Sequence, residues 1–495
     1  MSFQDFYKNM GFSDYPFAVF TSESEQARQK ELFFDTSLYS PIVQNFLSGN
    51  TIILSGDRGT GKTAILYDLV RRLENTKTLV VEISDFSTLK QPFDPKLLYI
   101  FLTQQLADAL FSTMATSSFN HRLLTKNEKI SLSYFYARYT RQTTKVALNS
   151  RLEELQMSRL ARVGTFIYKL TRHILNIGAN GAVHFLGDLV ARSLGSSPTD
   201  QRWNEYFPEL ASSIEADFAD AEGSLMAFCR LVDLCKKLGN QKVLLILDKI
   251  DEDPRFGNAA EDIAEFIEPM LTDNKLLLNN KFQLVVSLWL IPLNMLKSSV
   301  RTQKLNCPVI NWSFEDLKAV LNRRLGVYSN ANITDIMMIL DNSIGNESLE
   351  KILSLSNRNP RDLWHVMDRI MLAQHRIDST AKRICERAIQ EGLDSYVKEF
   401  NFYEYYPKKS NAKKNSMDIY AYISHLLKLD GAEFTKNKLN EKASTGSSTP
   451  NYVLAMENMG LVEASGSAGG STTYTIRDPK VVYAIKNKID IARST

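Results

Sequence analysis

Five short runs rich in apolar β-formers punctuate the chain: Thr51–Ser55, Thr78–Ser84, Val243–Leu247, Phe282–Leu288 and Pro308–Trp312. Stretches with helical periodicity separate them, which predicts a parallel sheet covered on both faces. The second and third runs lie too far apart for one crossover. The segment between them, from about Ser112 to Gly223, has helical periodicity and few breakers and is expected to be a helical insertion. Ser313 is placed to cap a helix over SFEDLKAVLNRRL, and further helices are expected up to about Phe400. The polar stretch Lys408–Lys414 (KKSNAKK) has the composition of a linker. Beyond it come helical patterns near Ser416–Leu427, Thr435–Lys442 and Pro450–Met459, then short strands at Leu461–Ala464 and Thr472–Arg477 joined by SGSAGGS, a flexible turn. Three helices and a two-stranded wing predict a winged-helix domain, a variant of the helix-turn-helix.

Composition narrows the context. Over 495 residues, 59 Lys+Arg face 56 Asp+Glu, and a net charge of +3 is no argument for nucleic-acid or membrane partners. Cys229, Cys235, Cys307 and Cys385 show no CxxC spacing, and the histidines show no metal spacing, so neither a zinc site nor a disulfide framework is indicated. Cys229 and Cys235 fall in an apolar helical pattern and are expected to be buried thiols. The N-terminus MSFQDFYKNMGFSDYPF lacks the basic and apolar regions of a signal peptide. The most apolar long stretch, Val163–Leu194, carries Lys169, Arg172, His173, His184, Asp188 and Arg192, too many ionisable groups for a membrane span. A cytoplasmic location without membrane contact is expected.

The most specific motif follows the first strand. Gly56, Asp57, Arg58, Gly59, Thr60, Gly61, Lys62 and Thr63 match G-x-x-x-x-G-K-[ST] at every fixed position, with the strand TIILS before and the helix AILYDLVRRL after. Glycines let such a loop curl so that its N–H groups face a phosphate at a helix N-terminus, whose dipole favours anions. Lys62 is expected to reach the β- and γ-phosphates of ATP, and the Thr63 hydroxyl to ligate Mg²⁺. The run Val243–Leu247 ends on Asp248, a second Mg²⁺ ligand held through water, followed by Lys249, Ile250, Asp251 and Glu252. Either Asp251 or Glu252 could polarise the attacking water, with Glu82 a lesser candidate. The predicted fold class is therefore α/β: a P-loop NTPase parallel-sheet core (1–312, insertion about 112–223), a helical lid (313–405) and a C-terminal winged-helix domain (415–490).

On these residues the sequence resembles the AAA+ and STAND P-loop ATPases of the origin-recognition-like group, over about two thirds of its length. SDYPF with Glu23 and Glu25 stands where those proteins place an adenine-pocket segment, and LLILDKIDE resembles their Walker B strand. The resemblance implies a polar sensor at Ser287, which ends the fourth strand. It also implies a γ-phosphate-sensing arginine at Arg361, within Asn359-Pro360-Arg361-Asp362-Leu363, and an arginine finger at Arg301 that would reach a neighbouring subunit. Two positions depart from the pattern. Lys249 stands where relatives carry Glu, which moves the base to Asp251 or Glu252 and implies slow turnover. Trp289 stands where relatives often carry a polar or basic residue. The N-terminal segment and the phosphate motif also resemble bacterial ATPases of phage-defence systems.

Other charged features have structural readings beside functional ones. Arg323 and Arg324 are placed at a helix end, where cations favour the dipole. In the insertion, Arg138, Arg141, Lys145, Arg151, Arg159, Arg162, Lys169 and Arg172 face only Glu153 and Glu154, with Tyr134, Phe135, Tyr136 and Tyr139 at the start. Such a mixture suits nucleic acid; it equally suits an amphipathic helix docked on the acidic stretch Glu215–Glu222. The third helix of the winged-helix region has no Lys or Arg, so protein contact is expected there, although Lys436, Lys438 and Lys442 in the second could touch a phosphate backbone. The expectation is an ATP-driven switch that forms a homo-oligomer or engages a protein partner, with phage defence as one context. The alternative is an origin-recognition-like DNA-binding ATPase in replication or transposition. A small-molecule kinase leaves the lid and winged helix without a use.

Overall fold

The computed structural model describes residues 1–36, 39–116, 124–147, 218–408, 417–468 and 470–491. It is a mixed α/β protein. Among these residues, β1 (Ile52–Gly56), β2 (Thr78–Ile83), β3 (Lys242–Leu247) and β4 (Gln283–Trp289) form a parallel sheet in the order β1-β4-β3-β2. The pleat sends successive side chains to opposite faces, and each face meets its own core. Ile52, Leu54, Leu244, Ile246 and Val285 join the core built with the N-terminal segment and the C-terminal half. Ile53, Val243, Leu245, Leu284 and Val286 join the core of the helices Pro95–Thr116, Lys126–Tyr139, Ala221–Lys237 and Ala260–Thr272. β3 and β4 are buried along almost their whole length, which is why their sequences are mainly apolar.

The fifth apolar run, Pro308–Trp312, does not become a strand. It lies along the outer edge of β1, where Ser55 N–H donates to the Pro308 carbonyl at 3.0 Å and Ile310 N–H to the Ser55 carbonyl at 2.7 Å. Pro308 has no N–H to donate, so the ladder stays at isolated bridges and the sheet has four strands rather than five among the described residues.

Residues Phe314–Tyr328, Asn346–Leu355, Pro360–Ile377 and Glu386–Glu399 are helices. Ser313 caps the first as expected, its hydroxyl accepting from Asp316 N–H at 3.0 Å. Asn359 caps the third, with Pro360 in its first turn, and the stripe Leu363, Val366, Met367 and Ile370 is fully buried.

At the C-terminal end, helices Ile419–Leu426, Lys436–Ala443 and Thr449–Asn458 accompany an antiparallel sheet of β5 (Glu433–Thr435), β7 (Ser471–Ile476) and β6 (Val462–Ala468), in that order. The SGSAGGS segment is mostly strand rather than turn. Ladder pairs run out to Ala468 and Ser471 with an irregularity between Ala464 and Gly466, because main-chain pairing needs no side chains. A last helix, Pro479–Asn487, sends Lys480 back into the protein.

The region expected to be an insertion is not separate where it is described. The helix Pro95–Thr116 runs past Ser112, and Tyr134, Phe135 and Tyr139 are buried beside it, so these aromatics form core and offer no open platform for bases. Arg151, Arg159, Arg162, Lys169, Arg172 and the stretch 163–194 lie outside the described residues, as does most of the expected linker. Among the described residues, no helix is long and apolar enough to cross a membrane.

Candidate functional site

The site begins where β1 ends. Gly59 (φ 82°) and Gly61 (φ 88°) adopt left-handed backbone, so the chain between Gly56 and the helix Lys62–Arg71 curls tightly. A Cβ on Gly59 would stand 2.6 Å from Asn359 Oδ1 and 3.0 Å from Arg361 Cβ, so the loop and the start of the helix Pro360–Ile377 pack without room for a side chain. Asn359 locks this contact. Its Nδ2 donates to the Arg58 carbonyl and to Tyr405 Oη, while its Oδ1 accepts from Arg361 N–H at 2.9 Å. On the other side, Trp312 Nε1 donates to the Thr60 carbonyl at 2.9 Å.

Lys62 Nζ folds back and donates to the carbonyls of Gly56 and Asp57, both at 3.0 Å. Burial pushes its amine below the ordinary value, against the charges of Asp251, Asp248 and Asp57. The parallel sheet carries Asp248, just past β3, to the same edge as the loop, and Thr63 Oγ1 donates to Asp248 Oδ2 at 2.9 Å. A hydroxyl and a carboxylate this close, both oxygen donors, are a donor set that suits Mg²⁺ with several of its waters retained. No group of three or more His, Cys, Asp or Glu able to hold a metal occurs among the described residues. A cation here would therefore rest on these two side chains, water and the ligand itself.

The two candidate bases separate in the structure. Asp251 is occupied: its Oδ2 accepts from Arg58 Nε at 2.7 Å, its carbonyl accepts from Arg58 Nη2 at 2.9 Å, and both side chains are largely buried. Arg58 also donates to Asn258 Oδ1 and lies over the Trp289 ring, 4.2 Å from its centroid. Trp289 thus supports a cation of the loop. The Glu252 carboxylate has no hydrogen-bond or ion-pair partner among the described residues, and Glu252 borders the cavity. Partial burial of its carboxyl, and then the Asp251 charge, push it above the ordinary carboxylate value.

These groups surround a cavity of about 500 Å³, within the range of small-molecule sites. Its lining divides by chemistry. Arg58, Gly59, Gly61, Lys62, Thr63, Asp248, Lys249 and Glu252 supply polar and charged groups, joined by Glu23 and Arg361. Phe20, Phe33, Phe34, Ile65, Val320 and Trp364 supply apolar and aromatic ones. No protein-family model matches the chain, and no curated protein matches it either.

Of the residues expected at the site from sequence, Arg58, Gly59, Gly61, Lys62, Thr63, Asp248, Asp251, Glu252 and Arg361 line this cavity. Gly56, Asp57 and Thr60 complete the loop behind it. Arg361 forms no ion pair among the described residues: the neighbouring Asp362 is bound to Lys480 Nζ at 3.4 Å, and Asp341 accepts from Ser343. Ser287 and Arg301 do not border the cavity. Ser287 lies inside β4, two residues before its end, with its hydroxyl buried and unpartnered. Arg301 is exposed on a loop. Glu82 is also away from the cavity, its carboxyl pushed up by burial and by Asp248.

Three features were missed by sequence reasoning. Arg324 is not at a helix end but buried inside Phe314–Tyr328, donating to Glu25 at 2.6 and 2.9 Å and to the Val19 carbonyl at 3.0 Å, with its guanidinium over Trp364. It fastens the N-terminal segment against the cavity. Lys249, in left-handed backbone at φ 62°, pairs with Glu23 at 2.7 Å. Asn258 joins Arg58 to the Tyr403 and Tyr406 carbonyls. Each joins residues far apart in sequence.

Proposed function

We propose that the protein is a P-loop ATPase that binds Mg²⁺–ATP in this cavity, hydrolyses it slowly and uses the change as a switch. The observation that carries the reading is the 2.9 Å hydrogen bond between Thr63 Oγ1 and Asp248 Oδ2. It joins two motifs 185 residues apart, the phosphate loop and the acidic strand end expected to share its metal. The four-stranded sheet is then the core of a P-loop NTPase, the helices after Ser313 its lid, and the C-terminal three-helix and three-strand unit a winged-helix domain.

In this reading the loop N–H groups and Lys62 hold the phosphates, exchanging Lys62's two carbonyl partners for phosphate oxygens. Thr63 and Asp248 hold Mg²⁺, which when bound neutralises charge on the phosphates. The aromatic wall of Phe20, Phe33, Phe34 and Trp364 suits a nucleobase. Glu252 accepts the proton of a water whose oxygen attacks the γ-phosphorus, while the bond to the β-phosphate oxygen breaks and ADP leaves with that electron pair. Asp251, bound to Arg58, is left a positioning role. Arg361 borders the cavity with a guanidinium unpaired among the described residues, and has the means to transmit its occupancy, because Asp362 beside it is tied to Lys480 of the C-terminal unit. Homo-oligomerisation or capture of a protein partner is the expected output. The DNA-binding alternative draws little support, since Lys438 and Lys442 both lie within ion-pair distance of Asp430. The test is ATP turnover with Mg²⁺: Asp248→Asn is expected to abolish it while keeping ADP affinity, and unchanged turnover would remove Asp248 from the site.

A further inference from the structure

Glu23 is an unusual neighbour for a phosphate site. A carboxylate there repels the ligand unless something compensates it. Its partner, Lys249, stands directly after Asp248 in left-handed backbone, a conformation that non-glycine residues hold only where the surroundings enforce it. Glu23, Lys249 and Arg361 all border the cavity that holds Lys62 and Asp248, and Lys249 Nζ lies 2.7 Å from Glu23 Oε1. Burial pushes the Glu23 carboxyl up, but Lys249 and then Arg361 bring it below its ordinary value, so both cations act on this one anion. Arg361, meanwhile, has no ion-pair partner of its own among the described residues.

We propose that Lys249 and Arg361 form the γ-phosphate-reading site, and that Glu23 is a built-in anion which occupies it until a nucleoside triphosphate displaces it. This rests on the ATP-site reading above. A terminal phosphate entering between the two cations carries more charge than one carboxylate and takes over Lys249. Glu23 then loses its anchor, and the 3-10 segment Ser22–Arg28 that carries it is released at that point while Glu25 stays fixed to Arg324. A diphosphate, stopping short of Lys249, leaves the Glu23 pair intact. Lys249 at the usual acidic position is thus a specificity residue for triphosphate over diphosphate.

The experiment uses the full-length protein with Mg²⁺ and compares ADP with the non-hydrolysable analogue adenylyl imidodiphosphate by calorimetry. The Glu23–Lys249 side chains are 35% and 29% exposed, and their competition is correspondingly modest. Glu23→Gln is expected to tighten the analogue about three- to fivefold and change ADP less than twofold. Lys249→Gln is expected to weaken the analogue about tenfold with ADP nearly unchanged. Hydrogen exchange in the unmodified protein supplies a second readout: amides of residues 22–28 should exchange faster with the analogue and not with ADP. If the protein binds both nucleotides but neither variant alters their ratio, the γ-phosphate proposal fails and the ATP site stands. If it binds neither nucleotide, both fail.

Discussion

Replacing Asp251 and Glu252 one at a time discriminates a catalytic carboxylate from a structural one. In Glu252→Gln no hydrogen bond is lost among the described residues, because the Glu252 carboxylate has no partner there and its N–H stays on the Lys249 carbonyl. Folding and nucleotide affinity should therefore hold, while turnover loses the proton acceptor. General-base removal typically costs 10²–10⁴ in rate, about 3–5 kcal/mol of barrier. Asp251→Asn instead strikes the Arg58 pair, whose side chains are only 17% and 10% exposed. Breaking a buried pair outright costs about 3–5 kcal/mol. Arg58 keeps the Asp251 carbonyl, Asn258 Oδ1 and the Trp289 face, so about 1–3 kcal/mol is expected here. Steady-state phosphate release and thermal melting separate the two. Glu252→Gln should melt like the parent and accumulate the ATP-bound form; Asp251→Asn should melt a few degrees lower and keep more turnover than Glu252→Gln. An undisturbed melting curve with abolished turnover in Asp251→Asn, beside an active Glu252→Gln, would refute the assignment.

Three further outcomes are expected. Arg361→Ala should weaken ATP about ten- to hundredfold and leave ADP nearly unchanged in calorimetry, the loss of one charge-assisted contact; equal losses would make Arg361 structural. Arg324→Met leaves Glu25 in a buried site without its cation and should cost about 3–5 kcal/mol in denaturant unfolding; a loss below about 1 kcal/mol would show that the N-terminal segment is held elsewhere. Asp68 is buried, and although burial pushes its carboxyl up, hydrogen bonds from Tyr39, Arg72 and Arg71 bring it below the ordinary 3.8. Its contribution is fully present above that value and disappears as pH falls through the lower folded value, so Asp68→Asn should lower stability at pH 7 and flatten its decline below about pH 3.8. Parallel pH–stability curves for the two proteins would contradict this.

What sequence made legible follows the range of the interactions. Strand β1, the Gly56–Thr63 loop and its helix are contiguous, and β3 is an apolar run followed directly by Asp248, so their place in the fold could be read from local sequence. The cap at Ser313 is equally local. The fifth strand failed on one atom, the N–H that Pro308 lacks. The choice between Asp251 and Glu252 could not be read, because it depends on Arg58, 193 residues away from Asp251. Arg324 resembles any solvent-facing arginine of a helix until the N-terminal carbonyls and Glu25 close over it. The aromatic cluster Tyr134–Tyr139 has the composition of a nucleic-acid platform, and only packing against the helix Pro95–Thr116 shows it to be core.

The central claim is that the cavity above Gly56–Thr63 holds ATP through Lys62. Calorimetric titration of ATP and ADP, with Mg²⁺, into the unmodified protein and into Lys62→Ala tests it most directly. The account predicts saturable binding of both nucleotides by the former and loss of at least tenfold in affinity for ATP in the variant, which should still melt as a folded protein. Equal ATP affinity in the two proteins, or no nucleotide binding by the unmodified one, would contradict it.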